Sequence, residues 1–119
     1  MKRVEVQSFK SKSVVIVDLS NLAGKDVLTV LSDAKGVISK LGEKKALILT
    51  DVSGAKYDKE VAEGIKDFTK YNTPYVKASA VVGAAGVQSV LLQTVTFLTR
   101  REIKTFTTRA EALEWLAGL

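Results

Sequence analysis

The sequence has 119 residues, 46% hydrophobic and 26% charged, the proportions of one globular domain and not of a disordered or fibrous chain. It contains no cysteine and no histidine, which excludes disulfides, thiolate chemistry, a Ser-His-Asp triad and the commonest metal ligand; a Ser–Lys dyad stays open. The formal charge is +5, but adjacent basic residues occur only at Lys2-Arg3, Lys44-Lys45 and Arg100-Arg101, so the excess reads as a solubilising surface and nucleic acid is not an expected partner.

Val4 and Val6 alternate with Glu5 and Gln7, the period of a half-exposed strand. A polar turn, Lys10-Ser11-Lys12, separates it from the β-branched run Val14-Val15-Ile16-Val17, which predicts a buried strand paired in an antiparallel hairpin. Asp18-Leu19-Ser20-Asn21 closes that strand. Val27, Val30, Leu31, Ala34, Val37, Ile38 and Leu41 then recur at helical spacing, predicting an amphipathic helix over 25–41 that stops at Gly42. Ala46-Leu47-Ile48-Leu49-Thr50 is a second buried strand, ended by Asp51-Val52-Ser53-Gly54.

Val61, Ile65 and Phe68 define a second helix over 58–71, with Asn72-Thr73-Pro74 as its turn. A strand is predicted over 76–82, a tight connection at Gly83-Ala84-Ala85-Gly86, and a third helix carrying Val87, Val90, Leu91, Val95 and Leu98. A short strand over 102–106 follows. Thr108-Arg109-Ala110-Glu111 has the spacing of a capping box and opens a last helix with Leu113, Trp115 and Leu116, of which Trp115 is expected in the core. The order β-β-α-β-α-β-α-β-α predicts an α/β fold, a single domain over 1–119 with a mixed, mostly parallel sheet flanked by helices. No internal repeat, linker or low-complexity segment stands out. No apolar leader follows Met1, and the uncharged stretch 78–99 is broken by Gly83, Gly86, Gln88 and Gln93; a cytoplasmic address is expected.

The run Val76-Lys77-Ala78-Ser79-Ala80-Val81-Val82-Gly83, the uncharged helix after it, Ile103-Lys104-Thr105-Phe106 and Ala110-Glu111-Ala112-Leu113-Glu114-Trp115-Leu116 resemble the SpoIIAA-like branch of the STAS superfamily. The strand ends Asp51-Val52-Ser53-Gly54 and Asp18-Leu19-Ser20 fit the same pattern. The resemblance covers essentially the whole chain and implies the same fold. It also implies a non-enzymatic regulatory domain. The better-known STAS switches are phosphorylated on a serine within an Asp-Ser-Ser-Gly motif at the start of the second helix. Here the stretch reads Tyr57-Asp58-Lys59-Glu60: Asp58 stands roughly at the motif's aspartate and no hydroxyl follows it, so no phosphorylation site is assigned. The branch's similarity to CRAL-TRIO domains implies apolar-ligand binding or membrane association.

Open α/β sheets bind ligands at the carboxyl ends of their strands. Two loops there form the candidate ligand-binding set: Asp51, Ser53, Gly54 and Asp58 in one, Gly83, Ala84, Ala85 and Gly86 in the other. Each also reads as a plain turn, with Asp58 capping the second helix. The second loop lacks the length and lysine of a P-loop. A second candidate surface is the uncharged outer face of the third helix, Gln88, Leu92, Gln93 and Thr96, with Arg100 and Arg101 at its end. Such a face suits a second copy of the chain (a homodimer), a protein partner or an anionic membrane surface. No catalytic residue, metal ligand or cofactor is assigned. The leading expectation is a regulatory or ligand-binding module that takes a protein partner or a small apolar or anionic ligand at the carboxyl-edge loops; the alternative is peripheral membrane or lipid binding.

Overall fold

A computed structural model describes residues 3–42, 45–56, 58–84 and 103–119. Five strands, β1 (Val4–Phe9), β2 (Lys12–Asp18), β3 (Ala46–Asp51), β4 (Val76–Val82) and β5 (Ile103–Phe106), form one sheet in the order β1-β2-β3-β4-β5. β1 pairs with β2 antiparallel, and every other neighbour is parallel. Lys10 and Ser11 make the two-residue hairpin turn in left-handed backbone, φ 48° and 68°. That conformation lets the strands keep their right-handed twist, and glycine or asparagine adopts it at less cost.

Strand alternation divides the core into two layers. Val15, Val17 and Ile48 face α1 (Lys25–Ser39) and α2 (Lys59–Asn72), and Val14, Ile16, Leu47 and Leu49 face α3 (Arg109–Ala117). β2 and β3 are therefore apolar on both sides, which explains their unbroken Val/Ile/Leu runs. Each fully buried aliphatic side chain contributes roughly 1.5–3 kcal/mol.

The first helix turns its Val27, Val30, Leu31, Ala34 and Ile38 inward. It ends at Ser39, two residues short of the predicted 41: Leu41 N donates to Ile38 O at 3.1 Å, and Gly42 turns away with φ 89°. α2 starts one residue later than predicted because Asp58 is its cap, the Oδ1 accepting from Val61 N at 2.8 Å. Gly64 lets α2 approach α1, since a Cβ there would overlap a Leu28 methyl. In the cap of α3, Thr108 Oγ1 accepts from Glu111 N at 3.2 Å and lies 3.1 Å from Glu111 Oε1.

β1 departs from the half-buried strand that its alternation predicts. Val4 packs on the core, but Val6 is 53% exposed and residues 5–8 face solvent. An edge strand lies outboard of the helices, and period-two patterning carries no information about position in the sheet. Trp115 is half-buried, packing on the α3-side core beside Phe106 at a ring separation of 5.7 Å. The predicted third helix, including Gln88, Leu92, Gln93, Thr96, Arg100 and Arg101, lies outside the described residues, as do Ala85 and Gly86.

Candidate functional site

Four parallel strands end on the same side of the molecule, and backbone hydrogen bonds carry the ladder on into their loops. Leu19 N donates to Asp51 O (2.8 Å), Asn21 N to Ser53 O (2.9 Å), Val52 N to Val82 O (2.9 Å) and Gly83 N to Phe106 O (3.1 Å). This carboxyl edge is consequently one connected surface.

Asp18 ends β2 and Asp51 ends β3, and the two are register partners. Each folds the same local turn. Ser20 N donates to Asp18 Oδ1 at 2.9 Å, and Ser53 N donates to Asp51 Oδ1 at 3.0 Å. The next residues, Asn21 and Gly54, both take left-handed backbone, φ 60° and 68°. The Ser20 hydroxyl also donates to Asp18 Oδ1, at 2.5 Å.

With the Oδ1 atoms occupied, the two Oδ2 atoms turn to one cation. Arg109, the first residue of α3, donates Nε to Asp51 Oδ2 at 2.8 Å and holds Nη2 3.4 Å from Asp18 Oδ2. Arg3 closes the other side of Asp18: its Nη1 lies 3.4 Å from Oδ1 and donates to Ser20 O at 2.9 Å. Two carboxylates thus meet two guanidinium groups.

Burial pushes both carboxyl groups up, but the opposing contacts win. The Ser20 hydroxyl and amide, then Arg109 and Arg3, hold Asp18 below its ordinary value of 3.8. The Ser53 amide and hydroxyl, then Arg109, do the same for Asp51. For Arg109 burial pulls the other way, and its two carboxylate partners, Asp51 first, raise it above its ordinary value. A general base works best with a pKa near the operating pH; neither carboxylate has that character, and each is engaged by an arginine. Among the described residues no three acidic side chains converge as a metal site.

Beside this network lies a cleft of about 340 Å³ lined by Gly83, Ala84, Thr105, Phe106 and Thr107. Gly83 has φ 81°, and a Cβ on it would stand 2.9 Å from the Ser53 Cα and overlap the Ser53 hydroxyl. The loops after β3 and β4 therefore touch at a point where only glycine fits. Of the ligand-binding residues expected from sequence, Asp51, Ser53, Gly54, Gly83 and Ala84 come together on this edge. Asp58, at the end of the loop after β3, serves α2 as its cap.

A SpoIIAA-like family model matches residues 15–117 of the chain. The chain belongs to the SpoIIAA-like family. No curated protein and no solved structure gives a significant match. The match runs from β2 through α3, so both aspartates, both serines and Arg109 fall within the SpoIIAA-like region, and Arg3 on β1's approach lies before it. SpoIIAA-like domains of the STAS type are generally non-catalytic and typically act in protein interaction. No helix among the described residues is long and apolar enough to cross a membrane.

Sequence reasoning missed Asp18, Ser20, Arg3 and Arg109 as members of this site. A signal for the first two was available: Asp18-Leu19-Ser20-Asn21 and Asp51-Val52-Ser53-Gly54 repeat one four-residue pattern at the ends of two strands. Arg109 carried no comparable signal.

Proposed function

We propose that this SpoIIAA-like domain is a non-catalytic regulatory module whose carboxyl-edge loops bind a protein partner. The observation that carries the reading is the juxtaposition of the cleft at Gly83, Ala84 and 105–107 with the Asp18/Asp51/Arg109 network on one backbone-tied edge. The network holds the edge in a fixed shape, and the cleft offers a recess lined in part by Thr105 and Thr107 for a partner side chain. Surface loops positioned by a rigid scaffold are where open α/β sheets carry recognition.

The cleft also supports a second reading, a small apolar or anionic ligand. Its volume of about 340 Å³ falls at the lower end of ligand-pocket sizes, roughly 300–1,000 Å³. Native mass spectrometry of the protein from its expression host separates the two. A partner reading predicts a bare polypeptide mass that gains a protein when the partner is present. A retained adduct of metabolite or lipid mass makes the small ligand the occupant. Binding only to anionic vesicles, abolished by salt, turns the assignment toward the membrane alternative.

A further inference from the structure

We infer that α3 is an ion-tethered strap: ion pairs near both of its ends help hold it on the sheet, and it opens locally while the rest of the fold stays closed. The inference goes beyond the binding reading and does not depend on it.

The three described helices are attached in different ways. α1 buries five side chains and α2 four, whereas the nine-residue α3 buries two, Ala112 and Leu116. Leu113 and Trp115 add partial contact on the same layer. Ion pairs show the opposite distribution. Of the five among the described residues, three reach α3: Arg109 to Asp51, Arg109 to Asp18, and Lys10 to Glu114 at 2.6 Å. Lys12 Nζ adds a hydrogen bond to the Leu119 carbonyl oxygen just beyond the helix. Charge therefore grips α3 near both ends, Arg109 at the first and the β1–β2 hairpin lysines at the second.

Such contacts weaken with ionic strength, because exposed charges are screened over the Debye length. Apolar contacts do not. The stronger grip is at Arg109, whose partner Asp51 has a side chain only 10% exposed; the Lys10–Glu114 pair is open to solvent. Release of Arg109 leaves Asp18 and Asp51, register partners, facing each other with only Arg3 as counter-charge. Opening would bare the layer of Val14, Ile16, Leu49 and Val82 under α3. It would also alter the carboxyl-edge cleft, since Phe106 lines the cleft and packs on Trp115.

Amide hydrogen exchange on the full chain tests this, at about 20 mM and about 500 mM sodium chloride, conditions that differ several-fold in screening length. Amides of α3 should exchange faster than those of β2 and β3 at low salt. High salt should speed α3 by roughly tenfold with β2 and β3 unmoved. Arg109→Met should reproduce the fast α3 exchange at low salt, and Lys66→Met, which removes the Lys66–Glu63 pair within α2, should not. An α3 that exchanges only in step with β2 and β3, or whose exchange ignores salt, overturns the inference. The wild-type salt comparison decides it alone if Arg109→Met does not fold.

Discussion

Asp18 and Asp51 sit side by side in register at the ends of two parallel strands, and each turns its Oδ2 to the same guanidinium, that of Arg109. Placing two carboxylates there without a cation would be unfavourable, so Arg109 does more than decorate the surface. It joins a helix near the end of the chain to strands that end 58 positions earlier at Asp51 and earlier still at Asp18. Arg109→Met is expected to lower unfolding free energy by about 1–3 kcal/mol, the upper figure for a buried pair being trimmed because the arginine side chain is 43% exposed. Arg109→Lys should recover only part of the loss, since an ammonium lacks the fork that reaches two acids. Urea unfolding measures both; a change below a few tenths of a kcal/mol in the methionine variant would count against the bridge.

The same contacts set the response to acid. Asp18 and Asp51 are held below 3.8 in the folded chain. A carboxylate with a depressed folded pKa contributes stability that is fully present above its unfolded value and is lost as the pH falls through the folded one. Stability should therefore hold from neutrality to about pH 4 as far as this pair is concerned, then fall below it. In Arg109→Met the fall should be shallower, because the cation that favours the ionised forms is gone. Urea midpoints taken from about pH 6 to about pH 2 follow this. An equally steep fall in the variant would show that other carboxylates govern the acid limb.

Gly83 is the tightest joint of the candidate site. Its φ of 81° and the 2.9 Å approach to the Ser53 Cα leave no room for a side chain. Gly83→Ala is expected to cost about 1–3 kcal/mol from left-handed backbone and overlap together. Ser53→Ala should not rescue it, because the Ser53 backbone and Cβ remain in the way. Thermal unfolding of the two single variants and the double variant reads this directly. Full rescue would place the obstacle at the hydroxyl alone.

A different kind of defect lies at the far end of α2. Asn72 is fully buried, and neither its amide oxygen nor its nitrogen has a partner among the described residues. An unmade hydrogen bond at a buried polar group costs about 1–3 kcal/mol. Asn72→Leu, close in volume and apolar, should raise stability by about 1–2 kcal/mol. A lower urea midpoint for the leucine variant would mean that the amide is satisfied in solution.

Much of this architecture was legible in the sequence, and the reason is periodicity. Val27, Val30, Leu31, Ala34 and Ile38 announce a helix by spacing, and the runs at 14–17 and 46–50 announce strands buried on both faces. Asp58 as a cap and Gly83 as a turn were legible for local reasons, since both act on neighbours in the chain or on their own backbone. The exposure of Val6 was not, because alternation reports a strand and not its place at the edge. Arg109 was hidden most deeply. Read locally, it is a charged residue in a capping box, and its partners are adjacent only after the sheet has formed. The Asp-x-Ser repeat was visible at both strand ends, but its meaning depends on β2 and β3 being neighbours in register.

The central claim is that the carboxyl edge is the binding surface, and arginine substitutions at opposite edges of the sheet test it most directly. Ala84→Arg and Thr107→Arg place bulk and charge in the cleft; Thr73→Arg places the same side chain after α2, at the amino edge. Each tagged protein would be recovered from its native host and weighed by native mass spectrometry. The account predicts one added mass, protein or small molecule, retained by the wild type and by Thr73→Arg and lost from both cleft variants. An added mass that survives in the cleft variants, or one lost only from Thr73→Arg, would contradict it.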